Sequence, residues 1–189
     1  MVNFAKELAA LKDASHRHLV KLVSSYTDPI YLGLIMSPVA DMDLKVYLKD
    51  YMASESDRNA RKQYLQTFFG CLISALEYLH DRRIIHKDIK PHNILVKHTD
   101  VFLTDFGTAR TLGEFSQSYS TGKRTYAVTP RYAAPEVADH ATRGQPSDIW
   151  SMGCVFLEMA TVLNACTLED MANYYASHGT ELTEFWSNE

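Results

Sequence analysis

The sequence lacks the features of a secreted, membrane-spanning or nucleic-acid-binding protein. Its 3 cysteines, an odd number, form no Cys-x-x-Cys pair, which argues against a disulfide framework and suits a reducing compartment. No apolar run approaches the roughly 20 residues of a membrane span. Residues 1–7 contain no cationic leader followed by an apolar core, so no signal peptide is expected. The formal net charge of −4 leaves no basic footprint for nucleic acid. We therefore expect an intracellular protein, in the cytoplasm or alternatively in the nucleus.

The residues that are present can build a core. Of 189 residues, 46% are hydrophobic and 22% are charged, which is typical of a globular domain. Apolar spacing predicts an opening amphipathic helix through Phe4, Leu8 and Leu11. It then predicts two strands, at residues 19–23 and 30–36, followed by a connector at 37–41. A short helix at 43–51 and a solvated link at 53–61 come next.

The second half is predicted to be mostly helical. A long helical stripe runs from Tyr64 to Leu79, and two short strands follow at residues 94–96 and 101–103. Residues 108–131 show no sustained period, which in a compact domain usually indicates a functional or mobile segment. Residues 149–159 are apolar on nearly all sides and predict a buried helix, and Thr167 with Asp170 resembles a capping box. The fold class is α+β.

A polar loop lies between two apolar runs in the middle of the chain, after Ile84-Ile85 and before Ile94-Leu95-Val96. Within it, Asp88 and Asn93 are five positions apart with Lys90 between them. The loop therefore offers a potential base, a metal ligand and a cation within one short turn. Such a set suits phosphoryl transfer, in which catalysis consists mostly of positioning and charge neutralisation.

Three further motifs follow this loop in order. Asp105-Phe106-Gly107 comes directly behind a predicted strand, Ala134-Pro135-Glu136 closes the irregular segment, and Asp148-Ile149-Trp150 opens the apolar helix. Each has a plain alternative: a turn for the first, a loop or a helix start for the second, and a carboxylate at a helix N-terminus for the third.

Together with the loop, these motifs resemble the catalytic domain of eukaryotic-type serine/threonine protein kinases. The resemblance implies a two-lobed α+β fold. Residues 1–36 would be the remnant of the N-terminal lobe, with a helix like the kinase αC and two strands. Residues 37–41 would be the hinge. Residues 42–189 would be a mostly helical, partial C-terminal lobe, with a catalytic loop at 84–96 and an activation segment at 105–136.

The resemblance also implies the catalytic and metal residues. Asp88 would accept the proton of a protein Ser or Thr hydroxyl, and Lys90 would reach the γ-phosphate of ATP. Asn93 and Asp105 would hold Mg²⁺ on the ATP phosphates.

Nucleotide contacts are implied for a second group of residues. Met36 would guard the back of the nucleotide pocket, and Ser37 and Val39 would meet the adenine edge. Leu95 would pack on the base, and Asp43 is placed for the ribose, although capping of the next helix accounts for it equally well. Glu7, by itself a typical solvated glutamate, stands where kinases carry the lysine-pairing glutamate.

Structural and regulatory roles are implied for the remaining matches. His86 would be a packed residue beneath Phe106 rather than a metal ligand. Gly107 would complete the motif after Phe106. Asp148 would hold the backbone of the catalytic loop. Thr125 would be the activation-loop phosphosite, and Thr129 would help to place the substrate hydroxyl. Glu136 would be the glutamate of the Ala-Pro-Glu motif.

The same resemblance implies that a Gly-rich loop and a strand lysine belong upstream of Glu7, where this sequence has six residues. Two functions then compete. The first is a serine/threonine kinase domain, present here as a fragment and weakly active or inactive alone. The alternative is a pseudokinase-like regulatory or binding module without phosphoryl transfer.

Overall fold

The computed structural model describes residues 14–27, 32–53, 58–105, 110–111, 130–138 and 143–178. In chain order, the strands are β1 (Lys21–Thr27), β2 (Leu32–Ser37), β3 (Met42–Asp43), β4 (Ile84–Ile85), β5 (Ile94–Lys97), β6 (Asp100–Leu103) and β7 (Arg110–Thr111). The helices are α1 (Leu44–Ala53), α2 (Arg58–Asp81), α3 (Pro135–Ala138), α4 (Gln145–Leu163) and α5 (Leu168–His178). Short 3₁₀ turns cover Pro91–Asn93 and Pro130–Tyr132. The mixed content agrees with the predicted α+β class.

The strands form small antiparallel sheets. β1 pairs with β2, β5 lies between β3 and β6, and β4 pairs with β7. β1 begins two residues later than predicted, because Leu19 and Val20 turn instead toward β6. Leu19 bridges Leu103, and the Val20 N–H donates to the Leu103 carbonyl at 3.0 Å. This bridge joins the segment before the β1–β2 hairpin to the sheet that follows the catalytic loop.

Helix α2 is organised by the apolar stripe that its sequence predicts. Its inward residues are almost fully buried: Leu65, Phe68, Leu72, Ala75, Leu76 and Leu79. Burial of a large apolar side chain contributes about 1.5–3 kcal/mol, so this face holds much of the core together. The helix begins at Arg58, so the prediction of a solvated link through residue 61 is wrong at its end. The strong stripe starts only at Tyr64, and the polar first turn gave no periodic signal.

Helix α4 is longer and less completely buried than predicted. It runs from Gln145 to Leu163, and its inward face includes Met152, Val155 and Met159. Ile149 and Leu157, however, are 53% and 40% exposed, so the helix is not buried on all sides in this chain. No single helix among the described residues is long and apolar enough to cross a membrane, while α4 and α5 together pass such a test as a pair bent by 114°.

The capping box before α5 is confirmed. The hydroxyl oxygen of Thr167 accepts the Asp170 N–H at 2.9 Å, and Asp170 Oδ2 accepts the Thr167 N–H at 2.8 Å. The Thr167 hydroxyl also donates to Asp170 Oδ2 at 2.7 Å, and this bond, together with the one from the Thr167 N–H, stabilises the charged carboxylate and lowers the pKa of Asp170.

Candidate active site

The polar loop predicted at the centre of the chain is held by buried apolar residues at both ends. Ile84 and Ile85 form β4 before it, and Ile94 begins β5 after it. Inside the loop Ile89 is also buried, and a 3₁₀ turn at Pro91–Asn93 leads into β5. The polar residues between these points therefore have little freedom to move with respect to the core.

Asp148 is hydrogen-bonded to the backbone of this loop. Its side chain is 1% exposed, and its two oxygens accept the backbone N–H groups of His86 and Lys87, both at 2.8 Å. The ring nitrogen Nε2 of His80 lies 3.0 Å from Asp148 Oδ2. The contact that the kinase resemblance implies between Asp148 and the loop backbone is thus present. Lys87 has a φ of 72°, a left-handed conformation that is costly for a residue other than glycine, so these bonds hold a strained backbone.

His86 is a packed, neutral residue. It is fully buried, its Nε2 lies 2.9 Å from the Thr104 carbonyl, and the Asp88 N–H donates to its Nδ1 at 3.3 Å. Because Nδ1 accepts a hydrogen bond, the proton resides on Nε2, which donates to Thr104. Burial lowers the pKa of His86, against the smaller opposing effect of Asp148. Such a ring suits a structural role and not that of a general base.

The candidate cation, Lys90, and the candidate metal ligand, Asn93, both contact the carboxylate of the candidate base, Asp88. Lys90 Nζ lies 2.7 Å from Asp88 Oδ2, and the amide nitrogen of Asn93 donates to the same oxygen at 2.9 Å and to the Asp88 carbonyl at 2.8 Å. Asp88 and Lys90 are both partly exposed, whereas Asn93 is buried. The carboxylate is therefore oriented by fixed donors and remains reachable from solvent, as a group acting on a substrate hydroxyl must be.

Asn93 and Asp105 fit the oxygen chemistry of a Mg²⁺ site. The Asn93 amide nitrogen is engaged by Asp88, which leaves its oxygen as the ligand atom. The Thr104 N–H donates to the Asn93 carbonyl at 3.0 Å, which brings the following residue, Asp105, to the same end of the β5–β6 pair. Asp105 is exposed and has a φ of 64°. Mg²⁺ typically uses one or two carboxylates and completes its shell with phosphate and water oxygens, which agrees with this sparse donor set.

The candidate nucleotide residues lie along β2, the connector and the β3–β5 pair. Met36 and Ser37 end β2, and Val39 in the connector is 81% exposed. Asp43 and Leu95 are cross-strand neighbours. One oxygen of Asp43 accepts the Val46 N–H at 2.8 Å, so the helix-capping alternative for Asp43 is present in the structure.

Five predicted site residues lie outside the described residues: Glu7, Phe106, Gly107, Thr125 and Thr129. Glu136 is described; it lies in the first turn of α3 and is half-buried.

A buried charged cluster around Glu158 was not predicted from the sequence. Glu158 on α4 accepts a hydrogen bond from Arg131 Nε at 3.1 Å and another from the Tyr132 hydroxyl at 3.1 Å. Burial raises the pKa of Glu158 and, together with the Glu158 charge, that of Tyr132. One signal could have revealed it: Glu158 is the single charged residue in the apolar run from 149 to 163, and a buried carboxylate needs a partner.

Lowering the pH below 6.5, the ordinary pKa of histidine, is expected to reduce the free energy of unfolding through His86. The unfolded chain takes up a proton there, whereas the folded state resists it until a lower pH, so stability falls as the pH falls. The slope approaches at most about 1.4 kcal/mol per pH unit. In urea unfolding between pH 7.5 and 5, the stability of the wild type should fall relative to that of His86→Gln as the pH is lowered, by up to this slope.

The comparison between variants is essential because the raised pKa of Glu158 acts in the opposite direction and is common to both proteins. Ile89→Val is the control: it destabilises the same loop by about 0.5–1.5 kcal/mol without removing a titrating group, so it should keep the wild-type slope. An equal slope in wild type and His86→Gln would contradict the assignment of a neutral, buried His86.

The loop presents an oriented carboxylate, a lysine and an amide, and Asp105 follows Asn93 by twelve positions, just after β6; such a set of groups suits phosphoryl transfer. A family model for the protein kinase domain matches residues 2–187, and the chain belongs to this family. As a family, protein kinases use ATP and Mg²⁺.

Proteins similar to this chain include several relatives named as kinases or cell-division control proteins. Cell division control protein 2 homolog 1 of Trypanosoma brucei brucei is 33% identical over 161 residues, covering 82% of this chain and 49% of the relative. Cyclin-dependent kinase 2 of Caenorhabditis elegans is 32% identical over 187 residues, covering 96% of this chain and 49% of the relative. Mitogen-activated protein kinase kinase kinase 5 of Homo sapiens is 31% identical over 160 residues, or 82% of this chain and 11% of the relative. The chain thus spans about half the length of the first two and about a tenth of the third.

Proposed function

We propose that the full-length protein transfers the γ-phosphate of ATP to serine or threonine hydroxyls of protein substrates. The observation that carries this proposal is the Asp88 carboxylate, oriented by Lys90 and Asn93 on a loop that Asp148 holds by its backbone. The names of the relatives above, which include kinases of the cell-division and mitogen-activated groups, support the same activity. Lys90 favours serine and threonine over tyrosine as acceptors, by the kinase resemblance.

In this proposal each residue has a defined task. Asp88 orients the substrate hydroxyl and accepts its proton as the oxygen attacks the γ-phosphorus and ADP leaves with the bond electrons. Lys90 offsets the negative charge on the transferring phosphoryl group. Asn93 and Asp105 would hold Mg²⁺, which supplies charge neutralisation on the phosphate oxygens when it is bound.

We also propose that the nucleotide binds to residues of β2, the connector after it and the β3–β5 pair. Ser37 and Val39 would meet the adenine edge with backbone groups, Met36 would lie behind the base, and Leu95 would pack on it. Asp43 would contact the ribose through the oxygen that does not cap α1. The high exposure of Val39 supports this assignment, because an apolar side chain on the surface is available to cover a flat ligand.

Replacing Asp105 by Ala should lower Mg·ATP-dependent phosphorylation of a general protein acceptor such as casein by the full-length protein, on the order of a hundredfold or more. The loss follows from removing the carboxylate that would bind the metal. Transfer of labelled γ-phosphate, followed by identification of the phosphorylated amino acid, measures both rate and acceptor type.

Asp100→Ala is the matched control, because Asp100 is an exposed carboxylate at the far end of the β5–β6 pair. It should retain the wild-type rate. Full activity of Asp105→Ala would contradict the metal assignment. A wild-type protein that transfers no phosphate under Mg·ATP would instead support the regulatory or binding module.

A further inference from the structure

Arg143, which precedes helix α4, makes a hydrogen bond to the candidate catalytic loop. Its guanidinium nitrogen Nη1 donates to the backbone carbonyl of Lys87 at 2.7 Å. The two residues are 56 positions apart in sequence. Neither the motifs of the sequence nor the family resemblance assigns Arg143 a role.

The carbonyl that Arg143 contacts belongs to the peptide group directly before Asp88. The N–H of that same peptide group donates to His86 Nδ1 at 3.3 Å. Arg143 and His86 therefore hold the two ends of one peptide plane. Because the orientation of a peptide plane sets the direction in which the next Cα–Cβ bond leaves the backbone, these two contacts help to aim the Asp88 side chain.

The preceding peptide group is held separately. Its N–H, that of Lys87, donates to Asp148, and Lys87 itself adopts the left-handed conformation with a φ of 72°. A non-glycine residue in that region relaxes to a commoner conformation unless its surroundings prevent it. Asp148 restrains the N–H side of Lys87, and Arg143 restrains the carbonyl side.

Arg143 is itself well placed to act as a fixed support. It is half-buried, and the residues that follow it are joined to the core. The Gly144 N–H donates to the Ser147 hydroxyl oxygen at 3.1 Å, and the Gln145 side-chain amide donates to the His80 carbonyl at the end of α2 at 2.9 Å. The guanidinium thus projects from a helix start that is tied to α2.

A small cavity lies beside the hydrogen bond between Arg143 and the Lys87 carbonyl. It measures about 20 Å³, which is room for about one water molecule, and its lining includes Lys87, Asp88, Arg143 and Asp148. Removal of the guanidinium would enlarge this space and let mobile water replace a fixed donor on the Lys87 carbonyl. A water molecule satisfies the carbonyl but does not hold the peptide plane in one orientation.

We propose that Arg143 is a positioning residue for Asp88: by holding the Lys87 carbonyl, it fixes the peptide plane from which the proposed base projects. This inference rests on the proposed phosphoryl transfer. Arg143 touches neither the transferring group nor the acceptor in this assignment and acts only through the backbone.

The test uses the full-length protein and the variants Arg143→Ala and Arg143→Lys. Arg143→Ala should lower kcat on the order of ten- to a hundredfold, since small misplacements of a catalytic group have effects of this size, while KM for ATP changes less than about twofold. Arg143→Lys, which retains one cationic donor, should lie between Arg143→Ala and wild type. Millimolar methylguanidinium should restore part of the kcat of Arg143→Ala and should not accelerate wild type.

Arg61→Ala is the control for loss of a half-buried arginine. Arg61 lies on α2 over the ring of Tyr47, and its removal should leave kcat within about twofold of wild type and show no rescue by methylguanidinium. An unchanged kcat in Arg143→Ala would overturn the proposal. So would a loss of kcat that neither lysine nor methylguanidinium relieves, because that result indicates general destabilisation.

Hydrogen exchange separates this proposal from the proposed function. In Arg143→Ala, amide exchange of residues 86–90 should become faster, while exchange in the α2 core stays at the wild-type rate. If wild type transfers no phosphate, the proposed function fails, and exchange still decides whether Arg143 holds the loop. Unchanged exchange at residues 86–90 would overturn the positioning role.

Discussion

Replacing Asp88 by Asn is expected to lower the rate of phosphoryl transfer by the full-length protein by about 10²- to 10⁴-fold. Asparagine is nearly the same size and can still accept a hydrogen bond from Lys90, but it cannot accept the proton of a substrate hydroxyl. The exchange also removes the negative charge that pairs with Lys90 at 2.7 Å. The Lys90 ammonium then loses the charge that holds it in one orientation, which adds to the loss.

Single-turnover transfer with saturating Mg·ATP measures this effect on the chemical step. Binding of a fluorescent ATP analogue, measured separately, should change little, because Asp88 is assigned to the acceptor and not to the nucleotide. Asp50→Asn, a change of the same kind at an exposed position on α1, should leave both quantities at wild-type values. A transfer rate for Asp88→Asn within threefold of wild type, on the order of 0.6 kcal/mol in barrier height, would show that another group is the base.

Replacing Asp148 by Ala is expected to lower the free energy of unfolding of the chain by about 3–5 kcal/mol. The alanine variant leaves the N–H groups of His86 and Lys87 without their buried acceptor and also removes the partner of His80. Domains are stable by only about 5–15 kcal/mol, so this loss is a large fraction of the whole. The left-handed conformation of Lys87 would lose its restraint at the same time.

Urea unfolding followed by tryptophan fluorescence measures this loss, since Trp150 lies two residues after Asp148 on α4. If Asp148→Ala does not fold, Asp148→Asn provides a graded version: one oxygen remains, and the new amide group faces donors, so a loss of about 2–3 kcal/mol is expected. Asp50→Asn should stay within about 0.5 kcal/mol of wild type. A change below 1 kcal/mol in Asp148→Asn would mean that the loop does not depend on this carboxylate, on the scale of a single net hydrogen bond.

Much of the fold was accessible from periodicity and local chemistry. The stripe of α2 and the two short strands after the catalytic loop follow from the spacing of apolar residues, and the Thr167–Asp170 box follows from adjacent polar side chains. The boundaries were less accurate. The first turn of α2 is polar and carries no period, and Leu19 and Val20 leave the predicted strand because they bridge a strand far along the chain.

The candidate site divides in the same way. Asp88, Lys90 and Asn93 lie within six consecutive residues, so their spacing alone indicates one turn and one chemistry. The contacts of Glu158 with Arg131 and of Arg143 with Lys87 join residues 27 and 56 positions apart. No local pattern encodes such pairs, because the chain between them must fold before they meet.

The sequence by itself determined which groups this protein can use: a base, a cation and metal ligands in a short polar loop between buried segments. Those features are local, and the chemistry of the side chains and their spacing is sufficient to specify them. The tertiary structure decided how that loop is held. Asp148 lies in the first turn of α4, and Arg143 lies just before that helix. Asp148 accepts hydrogen bonds from the peptide groups that precede Asp88 and Arg143 donates one to them, because only packing of α4 against α2 brings a buried carboxylate and a guanidinium to that backbone.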